Sequence, residues 1–459
     1  MSDFRETLYT IDKRGKRKWV YANVIQGKFL NRRAFVAYFL IVFYLTLPWI
    51  TINGSQAVFL DIWNRKFTFF GATFWATDTD FLVVVLLIFA LSLFFFTSLI
   101  GRVWCGWACP ETVFLEFVFR PIERIIEGNG AKRLKLDMSP WTMGKILKKL
   151  TKHGICASLA WVLSSTFLAY FIGREPLLNM MQGSPLNNLQ PFLLTLIFMG
   201  VFGFQFGWFR EQFCTVVCPY ARFQSVLMDK FSLGVGYDSK RGEPRGKHKA
   251  KDDAAGDCVD CGLCVKVCPV GIDIRNGLQL ECIHCACCID ACDSVMAKIG
   301  KPLGLIRYDC EESLLHGGKH RFGARPIIYG SVLIILFLVL TFKVAHREMS
   351  DVVILRGASD QAFSMMDENT VVNHLHLHIS NKNNKPENYY VSCEEKNISI
   401  VVPMVPFTVQ ADAIATLPIF INLPKSDLQK GMKRIFIKIK SDTGFEKIQE
   451  VSLLGPGAI

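Results

Sequence analysis

Nine cysteines fall within the thirty-five residues from Cys258 to Cys292, and no other feature restricts the possible folds of this chain as tightly. The stretch reads CVDCGLCVKVCP from 258 and CIHCACCIDAC from 282, which is one CxxCxxCxxxC run written twice. In a two-cluster ferredoxin a tight loop brings three thiolates to one cubane, while the fourth cysteine, on the helical turn that follows, points at the other cluster. The spacing therefore predicts one [4Fe-4S] centre on Cys258, Cys261, Cys264 and Cys292, and a second on Cys282, Cys285, Cys288 and Cys268. Zinc is the alternative, because CxxC pairs also bind it, but zinc sites seldom use a third cysteine at this interval, and rarely twice in tandem. Cys287 fits no ligand slot and is expected to pack. The second run also departs from the first in carrying Asp293 where the first has Pro269.

Cluster ligation needs reduced thiols, so most of the sixteen cysteines argue against a disulfide scaffold and for a cytoplasmic setting of this stretch. The chain of 459 residues has room for two or three domains, and at 51% hydrophobic and 20% charged it reads as a membrane protein with polar parts. Its net charge of +12 raises nucleic acid as a partner. That partner is rejected, because the lysines and arginines cluster beside apolar runs, where they set topology and meet anionic lipid.

Five apolar runs, at about 34–52, 81–100, 154–172, 191–209 and 326–345, each approach the roughly 20 residues needed to cross a bilayer. The segments 1–33, 101–153 and 210–325 are rich in Lys and Arg, whereas 53–80 holds only Arg65 and Lys66, and 173–190 only Arg174. By the positive-inside rule the basic segments are cytoplasmic. The expected order is a cytoplasmic basic tail (1–33), a four-helix membrane region (34–236), a linker (237–257), a cytoplasmic ferredoxin-like domain (258–325), a fifth span (326–345) and an outer domain (346–459). The tail is too long and polar for a signal peptide, and no AxA-like site follows the first apolar run. Around Trp141 the loop 110–153 mixes lysines with apolar residues, which predicts an amphipathic helix on the inner leaflet. From 346 onward, short runs of period-two alternation separated by turn residues predict a β-sandwich of about a hundred residues, plausibly immunoglobulin-like.

A second cysteine constellation stands at two span ends: RVWCGWACPE at 102–111 and REQFCTVVCPY at 210–220. Each is an arginine, a short gap and CxxxCP after a span, an internal repeat of helix plus motif. If helical, cysteines four apart share a face, and each following proline marks a helix break or start. Cys105, Cys109, Cys214 and Cys218 could together hold a soft metal, either Cu(I) or iron in a further cluster; the residues leave both open. The bland alternative is packing, the role expected of Cys156 and, as single thiols, of Cys310 and Cys393. His374, His376 and His378 alternate along one strand and project from one face, so copper binding is open to them, although exposed strand histidines more often bind nothing. Met180 and Met181 could meet Cu(I) but more simply pack. With no nucleotide-binding glycine motif and no paired haem-ligand histidines in the spans, electrons must arrive from another protein or a quinol.

A two-cluster ferredoxin insert, CGWACP and CTVVCPY at membrane-helix ends and a β-sandwich tail, in that order, resemble the CcoG/FixG family of accessory proteins for cbb(3)-type cytochrome c oxidase. The resemblance covers nearly the whole chain. It implies a bacterial inner-membrane protein with a periplasmic immunoglobulin-like tail that reduces Cu(II) to Cu(I) during oxidase maturation, using Cys105, Cys109, Cys214 and Cys218 as catalytic and metal-binding residues. Two [4Fe-4S] clusters, copper, oxidase assembly factors or copper chaperones, and a cytoplasmic electron donor of unspecified identity are the implied cofactors and partners, and a homodimer is compatible with it. Two other functions fit the residues: an electron-transfer subunit passing electrons from quinol or a cytoplasmic donor to a periplasmic reductase, and a non-catalytic assembly scaffold.

Overall fold

The computed structural model describes residues 10, 16–52, 54–75, 79–184, 189–246, 256–277, 279, 281–317, 323–346, 350–356, 363–383, 385–393, 395, 397–411 and 413–457. Lys13 and Arg14 of the basic tail, and 247–255 of the expected linker, lie outside them. The chain divides into two compact units, Met1–Leu340 and Thr341–Ile459.

Among the described residues five helices are long and apolar enough to span a bilayer: Lys28–Trp49, Phe81–Ile100, Met143–Ile172, Leu189–Phe209 and Ala324–Ala345. Lipid is as apolar as leucine, so such helices associate through close packing rather than burial from water. Here aromatic side chains supply it. Phe167 packs on Phe198 at 5.2 Å between ring centroids, and Phe119 stacks on Phe206 at 5.0 Å. The fifth span approaches the second where a Cβ on Gly330 would stand 3.2 Å from the ring of Phe95.

The third span begins at Met143, some ten residues before the apolar run, so the segment 110–153 is not one helix lying on the membrane surface. It forms helices within Pro110–Glu127 and over Gly130–Met138, then enters the span. The reason is charge pairing. Lys149 and Lys152 reach Glu127 at 2.9 Å each, and Lys149 also reaches Asp137 at 2.6 Å. Neutralised in this way, lysines that looked interfacial extend a spanning helix by more than two turns. Trp141 remains exposed, as expected.

Between the second span and the third, and again after the fourth, the chain returns to the same end of the bundle, where the ferredoxin-like part packs. That part draws in residues before the expected linker: strand Gly234–Tyr237 pairs antiparallel with Ile306–Asp309, so the unit is closed by a two-stranded sheet whose strands flank both cysteine runs. The alternating short segments at 51–75 form small antiparallel hairpins at the other end of the spans.

The second unit is a two-sheet β-sandwich. Thr370–Asn381 lies between Ala413–Pro424 and Ser350–Leu355, with Phe363–Asp367 also on Thr370–Asn381 and Ser399–Val401 outside Ala413–Pro424. The opposing sheet runs Phe407–Val409, Glu387–Cys393, Met432–Ser441, Glu446–Leu454. Leu375, Leu377, Ile379, Ile419, Ile437 and Ile439 alternate inward and fill the space between the sheets. Polar contacts also tie the sheets together, among them Ser350 Oγ at 2.7 Å from Tyr389 Oη, and two hydrogen bonds that Asn373 exchanges with the backbone of Leu454 at 2.8 and 2.9 Å.

Candidate functional site

The eight cysteines of the double run line two cavities in the crossed pattern expected from their spacing. Cys258, Cys261, Cys264 and Cys292 line one. Cys268, Cys282, Cys285 and Cys288 line another, which Cys264 also borders. Local backbone explains how the loops curl. Asp260 and His284, each just before the second cysteine of its run, and Gly262 and Ala286, each just after it, all have positive φ of 51–65°. Such alternation turns successive N–H groups toward one side, a shape that suits an anion, and glycine relieves the strain only at 262.

The donor set fits iron–sulfur clusters. Burial pushes the Cys264 thiol up to about 11 and those of Cys268 and Cys292 up to about 12, and holds the Cys288 thiol well above its ordinary range. Thiols this buried become thiolates only against compensating positive charge, which metal supplies. The eight thiols are shared between two cavities, four to each, which is the donor number of a [4Fe-4S] cluster.

The second loop packs directly against the first CxxxCP motif. Gly106 lies between Cys105 and Cys109, and a Cβ there would stand 2.3 Å from the Ile283 carbonyl oxygen and 2.9 Å from Cys285 Cα. Only glycine admits this approach. The backbone N–H of Arg102 donates to His284 Nδ1 at 3.2 Å, and Trp107 Nε1 donates to Tyr308 Oη at 3.0 Å, which in turn donates to the His284 carbonyl. His284 is buried and held neutral, its pKa pushed down to about 3 by burial and then by Arg102.

The first span joins the same junction. Arg33, 1% exposed, donates from Nε to the Gly106 carbonyl at 2.8 Å and from Nη1 to Cys287 Sγ at 3.0 Å. Cys287 is thus more than a packing thiol, and a hydrogen bond to Cys285, followed by burial, holds its thiol well above the ordinary range. Asp290 accepts hydrogen bonds from the backbone N–H groups of Phe29 and Leu30 at 3.1 and 2.8 Å, capping the span's first turn.

The two CxxxCP motifs share one local design. Cys109 and Cys218 are extended residues that cap new helices beginning at Pro110 and Pro219. Cys105 lies in the short helix Val103–Trp107, and Cys214 in a wide π turn, Phe213–Val217. The members of each pair therefore do not share one α-helical face, because the helix breaks at the second cysteine. The four thiols still stand within electrostatic reach of one another. The Cys105 thiol is raised by burial, with Arg102 pulling it back and Cys218 raising it. Cys109 is pushed up to about 11 by burial and Cys105, and Cys214 is raised by burial, Glu111, Cys109 and Cys105. Cys105 Sγ donates to Gln224 Oε1 at 3.1 Å.

Sequence reasoning passed over His284, Arg33, Asp290 and Glu111. Burial raises the Glu111 carboxyl to about 7 although Gln205 donates to it at 2.8 Å; the only signal was a carboxylate two residues beyond Cys109. Elsewhere, His374, His376 and His378 alternate with buried Leu375 and Leu377. His374 Nε2 lies 3.0 Å from Ser364 Oγ and His378 Nδ1 3.0 Å from Thr416 Oγ1, and the three do not converge on an ion position. Met180 and Met181 lie in helix Arg174–Gln182, beyond the far end of the third span. Cys310 is buried, Cys393 packs against the sandwich core and Cys156 packs among the spans.

Membrane helices, a two-cluster ferredoxin-like insert and an immunoglobulin-like sandwich together define a multi-pass iron–sulfur electron-transfer protein. A family model described as a 4Fe-4S dicluster domain matches residues 209–311, one described as a 4Fe-4S binding domain matches 82–128, and one for the immunoglobulin-like fold at the C-terminus of FixG matches 340–456. The chain belongs to the FixG family. It is 32% identical over 451 residues to protein RdxB of Cereibacter sphaeroides, covering 92% of this chain and 93% of that protein. Nitrogen fixation protein FixG of Rhizobium meliloti is 40% identical over 64% of this chain, and protein RdxA of Cereibacter sphaeroides 39% over 63%. Those two alignments span 57% and 62% of the relatives' own lengths.

Proposed function

We propose that the chain carries single electrons from a donor on its ferredoxin-like side to the CxxxCP thiols, where Cu(II) is reduced as substrate to Cu(I) for assembly of a cbb(3)-type cytochrome c oxidase. In this reading Cys258, Cys261, Cys264 and Cys292 hold one [4Fe-4S] cluster, and Cys268, Cys282, Cys285 and Cys288 the other. When bound, the clusters supply one-electron chemistry, which matches the Cu(II)/Cu(I) couple. The chain's own groups do the rest. Cys105, Cys109, Cys214 and Cys218 offer soft sulfur donors that favour Cu(I) over Cu(II), Arg102 and Gln224 orient Cys105, and Glu111 can hold a proton beside Cys214. The excess of Lys and Arg on the loops at the ferredoxin end supports a cytoplasmic position for the clusters and a periplasmic one for the sandwich. Assembly factors or copper chaperones are the partners that such a product requires.

The observation that carries this reading is the contact of Gly106 with the backbone of Ile283 and Cys285, which joins the thiol motif to the second cluster loop without intervening side chains. The test is anaerobic: protein reduced with dithionite and desalted is mixed with Cu(II) and a Cu(I) chelator. Replacing Cys105 and Cys109 by serine should abolish copper reduction while both cluster signals persist in the reduced protein's electron paramagnetic resonance spectrum; undiminished reduction would remove these thiols from the path. A second reading is favoured by the 4Fe-4S binding-domain match over 82–128, which contains Cys105 and Cys109. In it the four membrane thiols hold a further cluster, and iron content above that of two cubanes, lost in the same serine variant, would identify it.

A further inference from the structure

One cavity in the first unit belongs to neither cysteine set. It holds about 280 Å³ and is bordered by Arg33, Arg120, Arg124 and Arg133, with Glu116 the one acidic residue on its wall among the described residues. Two of these cations are spoken for: Arg120 pairs with Glu116 and Glu211, and Arg133 with Glu123 and Glu127. The other two pair with no carboxylate among the described residues: Arg33 spends Nε and Nη1 on the Gly106 carbonyl and Cys287 Sγ, while its Nη2, like Arg120 Nε, is buried with no hydrogen-bond partner. Unmet guanidinium donors in a concave, partly desolvated wall call for an anion. Asn23 adds a polar amide to the wall, and Tyr38, exposed on the outer face of the first span, marks where the mouth meets lipid-facing surface.

We propose that this cavity binds a phosphate group, held by Arg33 and Arg124 at the end of the first span. Arg124 can offer its planar fork to a pair of phosphate oxygens and Arg33 its one unmet donor, Nη2, whereas a neutral ring would leave that buried donor unmet. The phosphate has two sources, the headgroup of an anionic phospholipid or a soluble phosphate compound, and both present the same oxygens. Because Arg33 also donates to Cys287 and to the Gly106 carbonyl, the bound anion would be linked through one side chain to the junction between the second cluster loop and the thiol motif.

The test uses the full-length protein in dodecyl maltoside, titrated with dioleoyl phosphatidylglycerol, dioleoyl phosphatidylcholine or inorganic phosphate and read by native mass spectrometry. Phosphatidylglycerol should be retained in preference to phosphatidylcholine. Arg124→Gln should weaken that retention about tenfold, the loss of one charge-assisted contact, and Arg124→Lys should weaken it less. Arg124 is partly buried and outside the cysteine contacts, so its variants test the site without disturbing the cluster loops. Arg124-dependent retention of inorganic phosphate, with no retention of phosphatidylglycerol, supports the site with a soluble source. Equal retention of both lipids, no retention of either anion, or retention indifferent to Arg124→Gln and Arg33→Gln overturns the proposal.

Discussion

Replacing Gly106 by alanine is the sharpest perturbation of the junction between thiols and clusters. The added Cβ would meet the Ile283 carbonyl oxygen at 2.3 Å, Cys285 Cα at 2.9 Å and Cys285 N at 3.0 Å. All three are backbone atoms, so no rotamer change relieves the clash. Ordinary carbon contacts lie near 3.5 Å or beyond, so the two segments must part by roughly 1 Å. Overpacking of this kind costs about 1–3 kcal/mol, equivalent to a roughly 5- to 150-fold fall in the population of the closed junction. The Arg33 bond to the Gly106 carbonyl, 2.8 Å long, is strained by the same movement. The assay is the rate of Cu(II) reduction by prereduced protein, with cluster signals recorded on the same samples. The expected result is a rate reduced by at least severalfold with both cluster signals intact. Parental rates, with unchanged hydrogen exchange at residues 283–285, would refute the contact as the route of transfer.

Three further outcomes follow from the same geometry. Asp290→Ala removes the carboxylate that accepts from Phe29 and Leu30 N–H; losing such a cap should cost about 0.5–2 kcal/mol, seen as faster amide exchange at residues 29–31 with the spans otherwise intact. If Cys285 ligates a cluster as proposed, Cys287→Ala should leave iron content unchanged but lower that cluster's potential by on the order of tens of millivolts for one hydrogen bond to a ligand sulfur, measured by redox titration. In the sandwich, burial opposes ionisation of Asp351 and Glu387, but Lys447 at 2.9 Å from Asp351, and Ser441, Thr443 and Asn383 around Glu387, hold both carboxyls below their ordinary range. The unfolded chain therefore takes up protons first as pH falls. The stabilisation is complete above about pH 4–5, the unfolded carboxyl range, and is lost on acidification through the lower folded values. Denaturation of the Thr341–Ile459 unit across this range should show that acid limb, and Asp351→Asn should flatten it.

The parts of this structure legible in the sequence are those with a local signature. Five apolar runs announced the spans, period-two alternation announced the strands around Leu375 and Ile437, and cysteine spacing announced which thiols share a cavity. What escaped is held by partners far apart in the chain. Arg102 meets His284 across 182 positions and Leu30 meets Asp290 across 260, and no periodicity encodes either. The third span was read short because Lys149 and Lys152 appeared as surface charge, and only the fold brings Glu127 to them. The ferredoxin-like part was read as starting at 258 because strand Gly234–Tyr237, GVGY, is too short and glycine-rich to look like a strand without its partner Ile306–Asp309.

The Asp290 cap also has a consequence for biogenesis. The first span leaves the ribosome with its opening N–H groups uncapped, and their acceptor is made 260 residues later. At roughly 5–20 residues per second, that interval lasts about 13–52 s. The first of the five spans is thus completed by a cysteine-rich segment made long after it, and a nascent chain stalled anywhere between them carries an unfinished first helix.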